Sequence, residues 1–177
     1  MNKILTLIVI GIFLLLTISV GAEFRYYNAN RSVTVEVVAD DQELLDLKPM
    51  QPYAFIHSNG ELIIDFTAKN INYNEGLGMG ISPDSRYIFD CVFAVSNDLW
   101  ENKTIVVDLD VSTESQGIVL IYSPSSQYNQ GPSNATDSLT VEISPGESAC
   151  IGFVVDATGK TLGEYTAEIT IHGYPKS

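Results

Sequence analysis

Thr104-Ile105-Val106-Val107-Asp108-Leu109-Asp110-Val111 alternates along its whole length. In an extended chain Ile105, Val107, Leu109 and Val111 share one face, while Asp108 and Asp110 point the other way. That is the pattern of a strand with one face in a core and one in water. The same period of two recurs outward in both directions. Val33, Val35 and Val37 alternate in 32–38, and Leu62, Ile64 and Phe66 in 61–67. In 87–96 the inward set is Tyr87, Phe89, Cys91, Phe93 and Val95, and in 164–172 it is Tyr165, Ala167, Ile169 and Ile171. Segments 117–122, 138–144 and 148–156 read the same way, and 53–58 carries a fainter version.

Turn chemistry separates these runs: Ser58-Asn59-Gly60, Ser82-Pro83-Asp84, Ser144-Pro145-Gly146 and Thr158-Gly159-Lys160. Short strands at this spacing predict an all-β, jelly-roll-like antiparallel β-sandwich of eight or nine strands. One short turn is expected at 41–47, with Asp40 as cap and Glu43 closing a capping box. The polar stretch 123–137, rich in Ser, Pro, Asn and Gln, reads as a surface loop.

The first 22 residues differ in kind. Lys3 precedes an uncharged run from Ile4 to Val20, and Val20 and Ala22 place small residues at a cleavage site. This is the layout of a hydrophobic secretory signal helix cut after Ala22, leaving 23–177 as a single domain. An uncleaved anchor is the alternative, because the 17-residue run 4–20 is long for a signal core and falls just short of the ~20 residues a full span needs. On either reading the domain lies outside the cytoplasm, extracellular or at the cell surface, and meets a membrane only through the signal segment.

Charge narrows the partners. The chain carries 9 Lys and Arg against 22 Asp and Glu, a net −13, or −14 once Lys3 leaves with the signal. Phosphate binding needs clustered Lys and Arg, so nucleic acid is excluded as a partner. Such a surface attracts Ca²⁺ in a general way. A calcium site, though, needs six or more oxygens converging from several segments. Asp40 with Asp41, and Asp108 with Asp110, supply too few, so neither a metal site nor a cofactor is expected.

Catalytic constellations are also missing from the linear order. His57 borders a turn and His172 falls on the water face of its strand, and neither adjoins a nucleophile motif. Gly76-Leu77-Gly78-Met79-Gly80 fails as a phosphate loop because Ile81-Ser82-Pro83 cannot open a helix there. No catalytic residue is assigned, and the chain is not expected to be an enzyme. Trp100, beside a strand end, reads as a core plug.

Two modifications suit an exported chain. Cys91 and Cys150 either pair as a disulfide or stand as two buried free thiols. Asn30, Asn102 and Asn134 each head an Asn-x-Ser/Thr triplet, a candidate N-glycosylation site. The count is close to what so Asn-, Ser- and Thr-rich a chain produces by chance.

Three stretches together carry a resemblance. They are Phe24-Arg25 through Arg31-Ser32-Val33-Thr34-Val35-Glu36-Val37-Val38-Ala39-Asp40, then Leu44-Leu45-Asp46-Leu47, then Tyr87-Ile88-Phe89-Asp90-Cys91-Val92-Phe93-Ala94-Val95-Ser96-Asn97. With the signal peptide they resemble an archaeal secreted family catalogued as domain of unknown function 1102. That family is similar in turn to archaeal bundling pilins and to the TasA and camelysin proteins of bacterial biofilm fibres. The resemblance implies a jelly-roll subunit that polymerises by donor-strand exchange, one subunit's N-terminal segment completing the next one's sheet. It supplies no catalytic residues to carry over, and no His-Glu-x-x-His motif occurs here. The loop 123–137 and the two cysteines have no counterpart in it.

The candidate donor strand is Glu23-Phe24-Arg25-Tyr26-Tyr27, aromatic and free of proline. Phe24 and Tyr26 would face one way, Arg25 and Tyr27 the other. The expected partner is a second copy of the chain, in an open homopolymer of pilus or biofilm-matrix type, with cell-surface or matrix proteins or glycans as further partners. The alternative is a monomeric surface module binding glycan or protein through aromatics such as Trp100, Tyr122 or Tyr128. Folding of 23–30 back into its own sheet would remove the donor altogether.

Overall fold

In a computed structural model that describes Lys3, residues 31–112 and residues 117–176, nine strands form among the described residues. They are β1 (Leu47–Pro49), β2 (Ala54–Ile56), β3 (Leu62–Ile64), β4 (Arg86–Ser96), β5 (Ile105–Val111), β6 (Val119–Tyr122), β7 (Ser138–Ile143), β8 (Ser148–Asp156) and β9 (Ile169–Pro175). The chain divides into two units, Met1–Glu36 and Val37–Ser177, and all nine strands belong to the second. The signal segment 1–22, apart from Lys3, and the candidate donor residues Glu23, Phe24, Arg25, Tyr26 and Tyr27 lie outside the described residues, as does Asn30.

Every strand pair is antiparallel. One sheet runs β1-β4-β8-β6 and a second runs β7-β5-β9, with β2 and β3 forming a separate hairpin. From β4 onward each strand lies in the opposite sheet from the one before it, the crossing habit of a jelly-roll-like sandwich. Both sheets contribute to one core. Val92, Phe93 and Val95 of β4 and Ala149, Ile151 and Phe153 of β8 join Ile105, Val107 and Leu109 of β5 and Leu139, Val141 and Ile143 of β7. Fully burying such side chains stabilises by about 1.5–3 kcal/mol each.

β5 follows its sequence pattern: Ile105, Val107, Leu109 and Val111 are buried, and Asp110 is exposed. Asp108 lies on the outer face, accepting a hydrogen bond of 2.6 Å from Thr140 Oγ1. β7 and β8 occupy almost the expected residues. The β2–β3 hairpin closes through Ser58-Asn59-Gly60. Gly60 takes a φ of +92°, and Asn59 Oδ1 accepts the Glu61 N–H at 3.2 Å.

Three expectations need correction. Residues 32–38 form no strand, and Val33, Val35 and Val37 are 88%, 79% and 93% exposed. Alternation shows a face fit for burial, but a strand also needs a partner's hydrogen bonds. The last strand begins at Ile169 rather than 164. Its ladder with β5 reaches Val111↔Ile169, and beyond it Ser112 N–H donates to the Glu168 carbonyl at 2.8 Å. Tyr165 is instead tied locally, its hydroxyl donating to the Thr161 carbonyl at 3.0 Å. The capping box at 41–47 is replaced by successive turns leading into β1, because Asp40 Oδ2 accepts the Leu62 N–H at 2.8 Å and joins this segment to β3.

Two strand glycines sit under side chains, with unequal room to yield. A Cβ on Gly152 would stand 2.5 Å from Tyr122 Cζ, within a buried ring, whereas one on Gly173 would meet only the methyl end of Leu45, at 2.8 Å. Gly152→Ala is therefore expected to lose about 1–3 kcal/mol through overpacking, and Gly173→Ala less than ~1 kcal/mol. Urea unfolding of the two variants tests this, and equal losses would show that the Tyr122 ring is not held in place.

Candidate functional site

The pairing of β4 with β8 is interrupted at one place. Phe89 faces Phe153 and Phe93 faces Ile151, so Asp90, Cys91 and Val92 stand opposite the single residue Gly152. The extra length forms a wide bulge. Cys91 absorbs the reversal with a φ of +51°, a region that costs a non-glycine residue on the order of 1–2 kcal/mol. The two extra residues keep the phase of β4 on either side, with Phe89, Phe93 and Val95 all on the core face, but break the alternation within the bulge. Cys91, expected among the inward residues, leaves the core set, and Val92 becomes fully buried.

Two carbonyls and one carboxylate of the bulge find partners outside the ladder. The Val92 carbonyl accepts N–H donors from Met50 at 3.0 Å and Gln51 at 3.3 Å. The Asp90 carbonyl accepts from Gln51 Nε2, and its carboxylate accepts the Tyr122 hydroxyl proton. Burial raises the Tyr122 phenol above its ordinary value, and the Asp90 carboxylate adds to the shift. Cys91 and Cys150 are joined as a disulfide, with Cα atoms 4.8 Å apart, which decides between the paired and free-thiol readings. Cys150 alternates with Ala149 and Ile151 of the core, so the bond lies on the outer face of its sheet.

The second feature is the edge of the other sheet. Among the described residues β9 is hydrogen-bonded to β5 alone. Ser112 N to Glu168 O and Lys176 N to Thr104 O show that the even-numbered residues point their backbone groups at β5. The backbone groups of Ile169, Ile171 and Gly173 therefore point outward. Ile169 and Ile171 also pack against the core while remaining partly exposed. The other edges of the two sheets are shorter or engaged at one position. β1 spans three residues, Thr136 bridges to Ile121 beside β6, and Asn129 Nδ2 donates to the Ser138 carbonyl of β7 at 3.3 Å.

The third feature is the 97–104 loop between β4 and β5. Asn97 is fully buried, and its amide donates to the carbonyls of Lys103 at 2.8 Å and Ile143 at 2.9 Å. Leu99 packs against the core, and Trp100 is left 92% exposed. The core-plug expectation for Trp100 is thus overturned, because its neighbour Leu99 fills that role. Asn102 is exposed at a φ of +52°, and Asn134 is exposed at the end of a short 3-10 turn, Pro132–Asn134. Of the aromatics weighed for a ligand, Tyr122 is buried, whereas Tyr128 is 76% exposed.

His57 and His172 are both exposed, on the hairpin turn and on β9, which belong to different sheets. Among the described residues no group of three or more His, Cys, Asp and Glu is placed to hold a metal ion. The signal that sequence reading missed is the bulge. A hint lay in Asp90-Cys91-Val92, where an acidic residue and a cysteine interrupt an otherwise apolar strand.

Residues 37–177 match the family described as protein of unknown function (DUF1102), and the chain belongs to it. No curated protein matches the chain.

The raised Tyr122 phenol sets an alkaline signature. In the unfolded chain a tyrosine ionises near pH ~10. In the fold the neutral form is favoured, so the contribution is fully present below that pH and is lost as pH rises above it. Tyr122→Phe should cost about 1–3 kcal/mol at neutral pH by leaving Asp90 without its donor. It should also flatten the fall in stability above pH ~10. Denaturation midpoints from pH 7 to 11 measure both, and an unchanged alkaline slope would contradict the assignment. Replacing both Cys91 and Cys150 by serine should separately remove up to ~4 kcal/mol, for a cross-link spanning 59 residues.

Proposed function

We propose that this member of the DUF1102 family is an extracellular structural subunit that polymerises into pilus or biofilm-matrix fibres through its N-terminal segment. The observation that carries the reading is the run 31–38. It has the alternation of a strand, yet Val33, Val35 and Val37 stand 88%, 79% and 93% exposed. Three β-branched residues at alternate positions would form an apolar stripe in an extended strand, and no described residue buries them. Such a stripe is what a donated strand presents to an acceptor.

The β9 edge supplies an acceptor of matching chemistry. Outward backbone groups at Ile169, Ile171 and Gly173 can ladder with an incoming strand, and the partly exposed Ile169 and Ile171 offer apolar contact. Pro175 has no N–H and marks where such a ladder stops. A donor running from Glu23-Phe24-Arg25-Tyr26-Tyr27 into the valine stripe would join one copy to the next. A head-to-tail contact of this kind does not close on itself, so it propagates as a filament. The likeness to bundling pilins and to the TasA and camelysin fibre proteins, expected from the sequence, would imply the same mode. Export by the leader 1–22 places the subunit at the cell surface.

A monomeric surface module for glycan or protein is the second reading, favoured by the exposure of Trp100 and Tyr128. Assembly separates the two. Negative-stain microscopy of the mature protein should show filaments, and Val33→Ser, Val35→Ser, Val37→Ser together should abolish them. Because these side chains are exposed, the triple variant should melt within about 0.5 kcal/mol of the parent. Deleting residues 23–27 should likewise leave a folded monomer. Fibres from either variant would overturn the donor assignment, and stable monomers from the parent would favour the second reading.

A further inference from the structure

We propose that Asn102 is N-glycosylated and that the first sugar stacks on the ring of Trp100. A tryptophan 92% exposed leaves a large apolar face in water that no described residue buries. Its place in the chain supplies a use. Trp100-Glu101-Asn102-Lys103-Thr104 sets an aromatic residue two positions before an Asn-x-Thr acceptor. Residues 100 and 101 form the turn, and Asn102, Lys103 and Glu101 are all exposed, so a bulky group attached here displaces no packed side chain.

The loop is held in a way that presents this tip. Asn97 pins the far side through the Lys103 carbonyl, Leu99 plugs the core, and the backbone reverses at Asn102 with a φ of +52°. Asparagine tolerates that conformation better than most residues, which is a sufficient reason for a turn asparagine. It is no reason for threonine at 104 or for an indole at 100. A pyranose has one face of C–H groups, and laid on an indole it removes apolar surface from water on both partners. Asn134 has no equivalent platform, because Pro132 stands two residues before it.

The transfer itself needs a sugar carried on a lipid phosphate. The Asn102 amide nitrogen attacks the anomeric carbon, an N–C bond forms and the C–O bond to phosphate breaks. The lipid phosphate leaves with the electron pair, and the amide proton passes to the transferase base. The inference is independent of filament formation. It also gives Trp100 a ligand within its own chain rather than a foreign one.

The test uses the full chain with its leader, expressed in a secretory host that glycosylates Asn-x-Ser/Thr and recovered from the medium. Glycopeptide mapping should find Asn102 occupied and Asn102→Gln lacking that glycan. Enzymatic release of the glycan should lower Tm by about 2–4 °C in the parent. In Trp100→Ala, either occupancy at Asn102 falls severalfold with Asn134 unaffected, or release changes Tm by less than ~1 °C. A bare Asn102 in the secreted protein would overturn the proposal, as would equal Tm losses with and without Trp100.

Discussion

The ladder between β4 and β8 is the constraint on which the other elements depend. Both strands are internal to their sheet, so β1 attaches to one side of the pair and β6 to the other. Val92, Val95, Ile151 and Val154 are completely buried along it, and Phe93 meets Phe153 edge-on with ring centroids 6.1 Å apart. An interior this dense forfeits contacts outright when a ladder slips. The bulge at Asp90-Cys91-Val92 fixes the register, since only one alignment lets the extra residues bond to Met50, Gln51 and Tyr122. The disulfide then clips the same two strands beside it.

Much of this was legible in the sequence, and the failures have distinct physical causes. β5, β7 and β8 were readable because each has a neighbour along its length, so period-two alternation translated directly into burial. In 32–38 the alternation is just as regular, yet the valines stand in water, because periodicity reports what a segment could bury and not what lies beside it. At 164–168 the pattern outran the pairing. At Cys91 a bulge broke the alternation locally, an event with no periodic signature. The exposure of Trp100 was hidden for a different reason. Two adjacent apolar residues at a strand end compete for one core position, and Leu99 occupies it.

Surface charge and edge chemistry work together here. The outer face of the β7-β5-β9 sheet carries Asp108, Asp110 and Glu142, the last paired with Lys176 Nζ at 2.5 Å. A net charge of −13 keeps copies of the chain apart at random encounter. Association is then confined to surfaces where backbone and apolar contacts outweigh repulsion. Natural sheets commonly blunt their borders with charge or short length, and β1, β6 and β7 are each short or engaged at one position. β9 is the border left with apolar residues at its rim.

The crossing of successive strands also governs the order in which the molecule can come into being. β5 is flanked by β7 and β9, both made after it, and β4 waits for β8, whose synthesis follows by about fifty residues. Local pairing can therefore complete little while the chain emerges; among the described residues only the β2–β3 hairpin is self-contained. Long-range closure of this sort is slow. On the proposed reading of an exported chain, that slowness would be an advantage, because late closure would keep the polypeptide open while it crossed a translocation pore.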